Sequence, residues 1–349
     1  VYNSRGNAYD DLNQHERAIE DYNKAIESNP EFALAYYNRG LAYSNLKQYE
    51  RAIEDYNKAI KLNPNFAEAY SNRGLVYDIL KQYDKAIEDY NKAIKLNPNL
   101  AETYNNRGTT YYELKEYERA INDYNKAIEL NPNYAEAYFS RGATYSELNQ
   151  YETAREDYNK AIALNPNDSA AYVNRGFAYS ALKQYEQAME DFNKALELDP
   201  NFAKAYFNRG NAYGDLNQSD QAIEDYTKAI ELDHNYTKAY YNRGLTYYYL
   251  KQYERAIEDF DKAIELDPNF TEAYTNRERA RSELQEQKGV PTLSPTATLT
   301  VPAAEAPGEP GFEAIFGIAG LLVVSYLLKN RGEGEDEKKG GYKNGRVKR

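Results

Sequence analysis

The chain of 349 residues has no cysteine and no tryptophan, one methionine and two histidines. Without thiols there can be no disulfide, no thiolate nucleophile and no cysteine-held metal. His15 and His234 fall in different parts of the chain, in loops where solvent exposure is expected. They leave too little material for a zinc site or a general acid–base pair. No Gly-rich phosphate loop, nucleophile elbow or metal-ligand spacing occurs. The expectation is therefore a non-enzyme with no catalytic residue, no metal, no cofactor and no small-molecule substrate. Net charge is −12, with basic residues gathered at the far end, where residues 329–349 hold eight Lys/Arg against four Asp/Glu. An acidic body argues against the phosphate backbone of a nucleic acid as the main partner, and no nucleic acid is expected. Long apolar runs are also missing, except between Ala314 and Leu328, where no charge occurs.

What the chain has in excess is tyrosine, 38 residues of it, and repetition accounts for the surplus. The pair Arg-Gly recurs at 5/6, 39/40, 73/74, 107/108, 141/142, 175/176, 209/210 and 243/244, always 34 residues apart. Each unit carries two helical patterns. In one, Ala86, Ile87, Tyr90, Ala93 and Ile94 form an apolar stripe at helical spacing, and Pro98 closes it. A period of this length marks stacked helix hairpins, since no single unit can bury its own stripe.

Counted from Ala33, the residues Tyr36, Gly40, Tyr43, Ala52, Tyr56, Ala59 and Pro64 resemble the tetratricopeptide repeat signature. The resemblance implies an all-α, right-handed superhelical solenoid of helix hairpins. Eight such repeats are expected over residues 1–270, the first truncated, with a capping helix at 271–288. In that cap Glu278 replaces the close-approach glycine and Arg281 the next core tyrosine. Val1 stands at the place of Ala35, already inside a helix, so the sequence is expected to be a piece of a longer chain with a signal peptide, more repeats or another domain upstream.

One residue departs from the signature. The position before the glycine, commonly leucine in the family, is arginine in every unit, and an aspartate recurs at 21, 55, 89, 123, 157, 191, 225 and 259. A half-buried arginine calls for a carboxylate, so a ladder of Arg–Asp pairs is expected. Because Arg277 persists in a cap with no second helix, each arginine is expected to meet the aspartate of the preceding unit, Arg277 meeting Asp259.

In the resembled family the first helix of each unit lines a concave face that holds a protein or peptide. On this face the candidate residues are Asn38, Asn72, Asn106, Asn174, Asn208, Asn242 and Asn276, with Tyr37, Phe139, Phe207 and Tyr241 beside them. An asparagine amide can donate to and accept from a peptide group, which would give recognition nearly independent of sequence. The same asparagine is also frequent in repeats that have no ligand, and both readings stand. The lysine by which some members grip a terminal carboxylate is absent at the place of Tyr37.

Beyond the cap, residues 289–311 contain five Pro and five Ser/Thr, which reads as a disordered linker. Fully extended it would reach about 70 Å at ~3.1 Å per residue. Residues 312–328 follow as a transmembrane helix, near the short limit for a span, and 329–349 as a basic-ended tail. Lys329 and Arg331 place that tail in the cytoplasm and the repeats outside. Pro310-Gly311-Phe312, the apolar helix and the basic end resemble the archaeal PGF-type C-terminal sorting signal. That resemblance implies cleavage by an archaeosortase and retention at the cell surface, although this tail is longer than usual for the family. Four Asn-x-Ser/Thr sites, at Asn167, Asn217, Asn235 and Asn269, agree with export.

The sum is a surface-anchored scaffold holding a polypeptide in its groove. Two alternatives remain, a structural cell-envelope protein with no groove ligand and an adaptor tail-anchored on the cytoplasmic face of a membrane.

Overall fold

A computed structural model describes residues 1–289. The expected linker past Gly289, the apolar helix and the basic tail lie outside the described residues. Seventeen α-helices and no strand occur among the described residues, in two compact units. The first, residues 1–149, holds α1 (Tyr2–Asp10), α2 (His15–Ser28), α3 (Ala33–Asn45), α4 (Tyr49–Leu62), α5 (Ala67–Ile79), α6 (Tyr83–Leu96), α7 (Ala101–Glu113), α8 (Tyr117–Leu130) and α9 (Ala135–Glu147). The second, from residue 150, holds α10 (Tyr151–Leu164), α11 (Ser169–Ala181), α12 (Tyr185–Leu198), α13 (Ala203–Asp215), α14 (Ser219–Leu232), α15 (Thr237–Tyr249), α16 (Tyr253–Leu266) and α17 (Thr271–Gln287). Within each unit consecutive helices pack as antiparallel hairpins, and hairpins stack on their chain neighbours as a solenoid.

Local chemistry sets each boundary. Between the two helices of a hairpin one residue turns left-handed, as at Lys47, Lys81, Lys115 and Lys183, with φ of 57°, 57°, 59° and 59°. The chain then reverses in three residues. At the other end of the hairpin an Asn or Asp leaves the helix extended, and its side chain accepts the N–H two residues on, as Asn63 does from Asn65 at 3.2 Å. Proline follows at most of these turns and forbids continuation.

Small residues let the paired helices close. A Cβ placed on Gly40 would lie 2.8 Å from the Tyr56 ring, and one on Gly176 2.7 Å from Phe192. Ala52, Tyr56 and Ala59 are fully buried, as are Ala86, Tyr90 and Ala93 one repeat later. The second helices thus bury one apolar stripe each and leave their charged face to water.

The arginines pair differently from expectation. Arg39 forks onto Asp55 of its own hairpin, with Nε to Oδ2 at 2.7 Å and Nη2 to Oδ1 at 2.6 Å. The same bidentate pair joins Arg5–Asp21, Arg73–Asp89, Arg107–Asp123, Arg175–Asp191, Arg209–Asp225 and Arg243–Asp259. The preceding hairpin is held by the remaining Nη1, which donates to Asn23 from Arg39 at 2.6 Å and to Asn193 from Arg209 at 2.7 Å. Tyr36 and Tyr43 flank the Arg39 guanidinium at 5.6 and 5.9 Å, a sandwich repeated around Arg73, Arg107, Arg175 and Arg209. Two tyrosines of each of those five repeats are thereby explained. Arg277, in α17, has no aspartate 16 residues on; it bonds Asp261 at 2.8 Å, not Asp259.

One histidine also differs. His15 opens α2 half-buried, with Nδ1 2.7 Å from Asp10 Oδ1. His234 is exposed as expected, and its Nδ1 lies 2.8 Å from the Ile230 carbonyl, an oxygen that only accepts, so Nδ1 carries the proton.

Candidate functional site

The candidate asparagines sit at the sixth position of each first helix, one turn in, where they meet the preceding first helix. Asn72 donates Nδ2 to the Tyr37 hydroxyl at 2.8 Å, and Asn276 does the same to Tyr241 at 2.8 Å. Asn38 donates to Asn7 Oδ1 at 2.9 Å and Asn3 Oδ1 at 3.2 Å, and Asn242 to Asn211 Oδ1 at 2.8 Å. In these four positions the amide already serves as a tie between neighbouring repeats. Asn106, Asn174 and Asn208 are buried, and the Nδ2 atoms of Asn174 and Asn208 have no hydrogen-bond partner.

The four aromatic candidates are packed rather than displayed. Phe139 is 0% exposed, Phe207 9% and Tyr241 7%, and Tyr37 is half-buried. Tyr37 lies 4.6 Å from Phe66 and 6.0 Å from Tyr56, centroid to centroid. Phe207 has the same setting between Tyr236 (4.9 Å) and Tyr226 (6.0 Å), and Tyr241 between Phe270 (4.6 Å) and Phe260 (5.8 Å). Each ring fills the seam where one repeat ends and the next begins. Burial drives the Tyr37 hydroxyl far above its ordinary pKa, helped by the charges of Glu68 and Glu102, and pushes Tyr241 up to about 12. Both remain neutral donors or acceptors at any physiological pH.

A further role, invisible as a motif, belongs to the residue after each close-approach glycine. Where it is polar it satisfies the buried tyrosine of the second helix. Tyr22 donates to Asn7 at 2.9 Å, Tyr226 to Asn211 at 2.9 Å, and Tyr124 reaches Thr109 at 3.4 Å. Where the second helix has Phe192 or Phe260, the partners are Phe177 and Leu245. Leu41, Leu75 and Ala143 break the rule opposite Tyr56, Tyr90 and Tyr158, and the Tyr56 hydroxyl is buried without a partner. The variation along this strip therefore tracks an internal hydrogen bond as well as any ligand.

No group of three or more His, Asp or Glu able to hold a metal occurs among the described residues. No described helix is long and apolar enough to cross a membrane.

The tetratricopeptide repeat profile matches residues 33–66, 67–100, 135–168, 169–202, 203–236 and 237–270, more than half of the sequence. The chain belongs to the tetratricopeptide repeat family. Related profiles of that family cover residues 6–47, 108–148 and 89–122. The PGF-CTERM motif matches residues 309–329. Among solved structures, this tetratricopeptide repeat chain is similar to the Cut9–Hcn1 hetero-tetramer of APC/C, at 19% identity and TM-score 0.61 over 76% of this chain and 52% of that one. It is similar to a tetratricopeptide repeat protein from Parabacteroides merdae at 22% identity and TM-score 0.56, over 74% and 98%. It is also similar to YrrB, described as a TPR protein with an unusual peptide-binding site, at 30% identity and TM-score 0.43 over 54% and 97%. No curated protein matches.

Proposed function

We propose that this tetratricopeptide repeat protein is a scaffold anchored at the cell surface, holding a polypeptide along the face built from its first helices. The observation that carries the reading is the PGF-CTERM motif at residues 309–329, placed after an unbroken repeat array. Residues 289–311 serve as the linker, 312–328 as the membrane helix, and 329–349 as a tail left in the cytoplasm by its Lys and Arg. The repeats then stand outside, and an archaeosortase-type enzyme removes the helix after Pro310-Gly311-Phe312. On the repeats, the carbonyl oxygens of Asn72 and Asn276 supply acceptors for backbone N–H groups of an extended ligand, their amide donors being partly committed to Tyr37 and Tyr241.

Mass spectrometry of the C-terminal peptides of protein taken from its native membrane tests the anchoring. Loss of every peptide beyond Phe312, with lipid on the new end, is the expected result. An intact end at Arg349 would sink the sorting half of the proposal. A second reading, a structural envelope element with an empty groove, draws on the burial of Phe139, Phe207 and Tyr241. An Asn72→Ala/Asn276→Ala variant that stays folded separates the two. Undiminished capture of envelope proteins by that variant would favour the structural reading.

A further inference from the structure

The turn between repeats offers an unusually well controlled series. Asn65, Asn99, Asn133, Asn201, Asn235 and Asn269 occupy one place in it, two residues before a first helix, and all six are exposed. The backbone turn is the same around five of them, all but Asn201. The N–H two residues on donates to the asparagine carbonyl at 3.0 Å in Asn65, 3.1 Å in Asn99 and Asn133, 2.8 Å in Asn235 and 2.9 Å in Asn269. None of the six carboxamide side chains makes a hydrogen bond, so each Nδ2 is open to solvent and chemistry. One difference divides the series. Ala67, Ala101, Ala135 and Ala203 follow the first four at the second position, whereas Thr237 and Thr271 follow Asn235 and Asn269.

The fold gives no reason for those threonines. Each is the first residue of its helix, where the series otherwise has alanine. Thr271 is exposed and Thr237 only half-buried, so neither is needed for packing. Their hydroxyls reach only the carbonyls of Asn235 and Asn269, at 3.4 Å, too long for a useful bond. What the substitution does create is an Asn-x-Thr acceptor on a free, solvent-facing amide.

We infer that Asn235 and Asn269 are N-glycosylated. In the reaction Nδ2 gives up one proton and forms a bond to the anomeric carbon of a glycan carried on a polyprenyl phosphate. The anomeric C–O bond breaks and the lipid phosphate leaves with the electron pair, so no oxidant or reductant is needed. Both sites lie in the second unit, the one joined directly to residues 289–311. Asn242 and Asn276 are seven residues further on, about 10 Å along each helix, which leaves the candidate peptide face outside the attachment point. Asn167 holds the same place in its turn, exposed and followed by Ser169, and Asn217 lies instead in the turn inside a hairpin; both carry the spacing with a local difference. Asp168 within the first is a buried helix cap bonded to the Ala171 N–H at 3.1 Å, and Asn217 itself turns left-handed with φ of 57°.

The inference rests on the reading that the repeats stand outside the membrane, and the test separates the two. Glycopeptide mass spectrometry of the full chain from native membranes is expected to find sugar on Asn235 and Asn269 and none on Asn65, Asn99, Asn133 or Asn201. Thr237→Ala is expected to remove the glycan from Asn235 while leaving the asparagine in place, lowering the intact mass by one glycan. In parallel, Glu31→Cys supplies the cysteine that the chain lacks, for labelling by a membrane-impermeant maleimide. Bare Asn235 and Asn269 on a chain labelled from outside would overturn the glycan inference and leave surface display standing. Bare asparagines on a chain shielded from the reagent would overturn both.

Discussion

Asp215 ends α13 with its carboxyl half-buried and no hydrogen-bond partner among the described residues. Burial pushes its pKa up to about 6 from an ordinary 3.8, and the charge of Lys183 draws it back only slightly. The folded state therefore prefers the neutral acid. Its contribution to stability is fully present below the unfolded value near pH 4 and is lost as pH rises through about 6. Asp215→Asn keeps the neutral shape at every pH. The variant is expected to melt ~2–4 °C higher than the parent at pH 7.5, which corresponds to about 1 kcal/mol once partial exposure is discounted. At pH 4 the two should melt together. Thermal melts at both pH values check this, and a gain that persists unchanged at pH 4 would mean that charge is not the cause. The contrast with Asp55 is instructive. There too burial pushes the carboxyl up, but the Arg39 fork opposes it, and the pair stays ionised because each charge is answered.

At the scale of the element, the unit of construction is a hairpin clasped by one arginine. Its fork closes the hairpin through an aspartate, and its spare nitrogen reaches the hairpin before. Asp89→Asn leaves the Arg73 guanidinium, 17% exposed, without its counter-charge. The loss is expected to be about 3 kcal/mol, at the low end for a buried pair. Asp261→Asn, at a carboxylate 46% exposed, should cost under about 1 kcal/mol. Chemical denaturation of both variants checks the contrast, and equal losses would refute it. The helices, their order and their close-approach glycines were all legible in the sequence, because period 34 and the Gly–Tyr spacing follow directly from how two helices touch. The partner of each arginine was not. Asp55 lies 16 residues after Arg39 and Asp21 18 before it, and a repeat that recurs unchanged cannot say which of two such similar offsets is used. Arg277 pointed the wrong way because Asp261 stands where earlier repeats have Asn23, Asn57, Asn91, Asn125, Asn159 and Asn193. The carboxylate moved to the preceding hairpin at the one place where the arginine has no second helix of its own. The aromatic candidates were misleading for a related reason. Tyr37, Phe207 and Tyr241 are covered by Phe66, Tyr236 and Phe270, residues that look like loop positions until the next repeat docks on them.

For the molecule as a whole, stability in such an array is a sum of hairpins and nearest-neighbour seams, so an end matters only to what it covers. The seam at the C-terminal end is closed by α17, whose Ala273 and Ala280 pack with Tyr241, Phe260, Ala263 and Phe270. The rest of its surface carries Glu278, Glu283 and Glu286, all exposed, which is how a last helix stays soluble. Ending the chain at Pro268 removes the inner face and leaves the rings behind it in water. Tyr241 and Phe260 at about 1.5–3 kcal/mol each put the loss at roughly 3–6 kcal/mol. That loss should be local. Hydrogen exchange is expected to show α15 and α16 far less protected and α1 to α8 unchanged. The exposed Tyr241 and Phe260 should also make the truncated protein associate as concentration rises, visible in light scattering, whereas a chain ending at Lys288, which keeps α17, stays constant. Uniform loss of protection across both units would contradict the nearest-neighbour picture, since it would require the last seam to hold helices with which α17 has no contact.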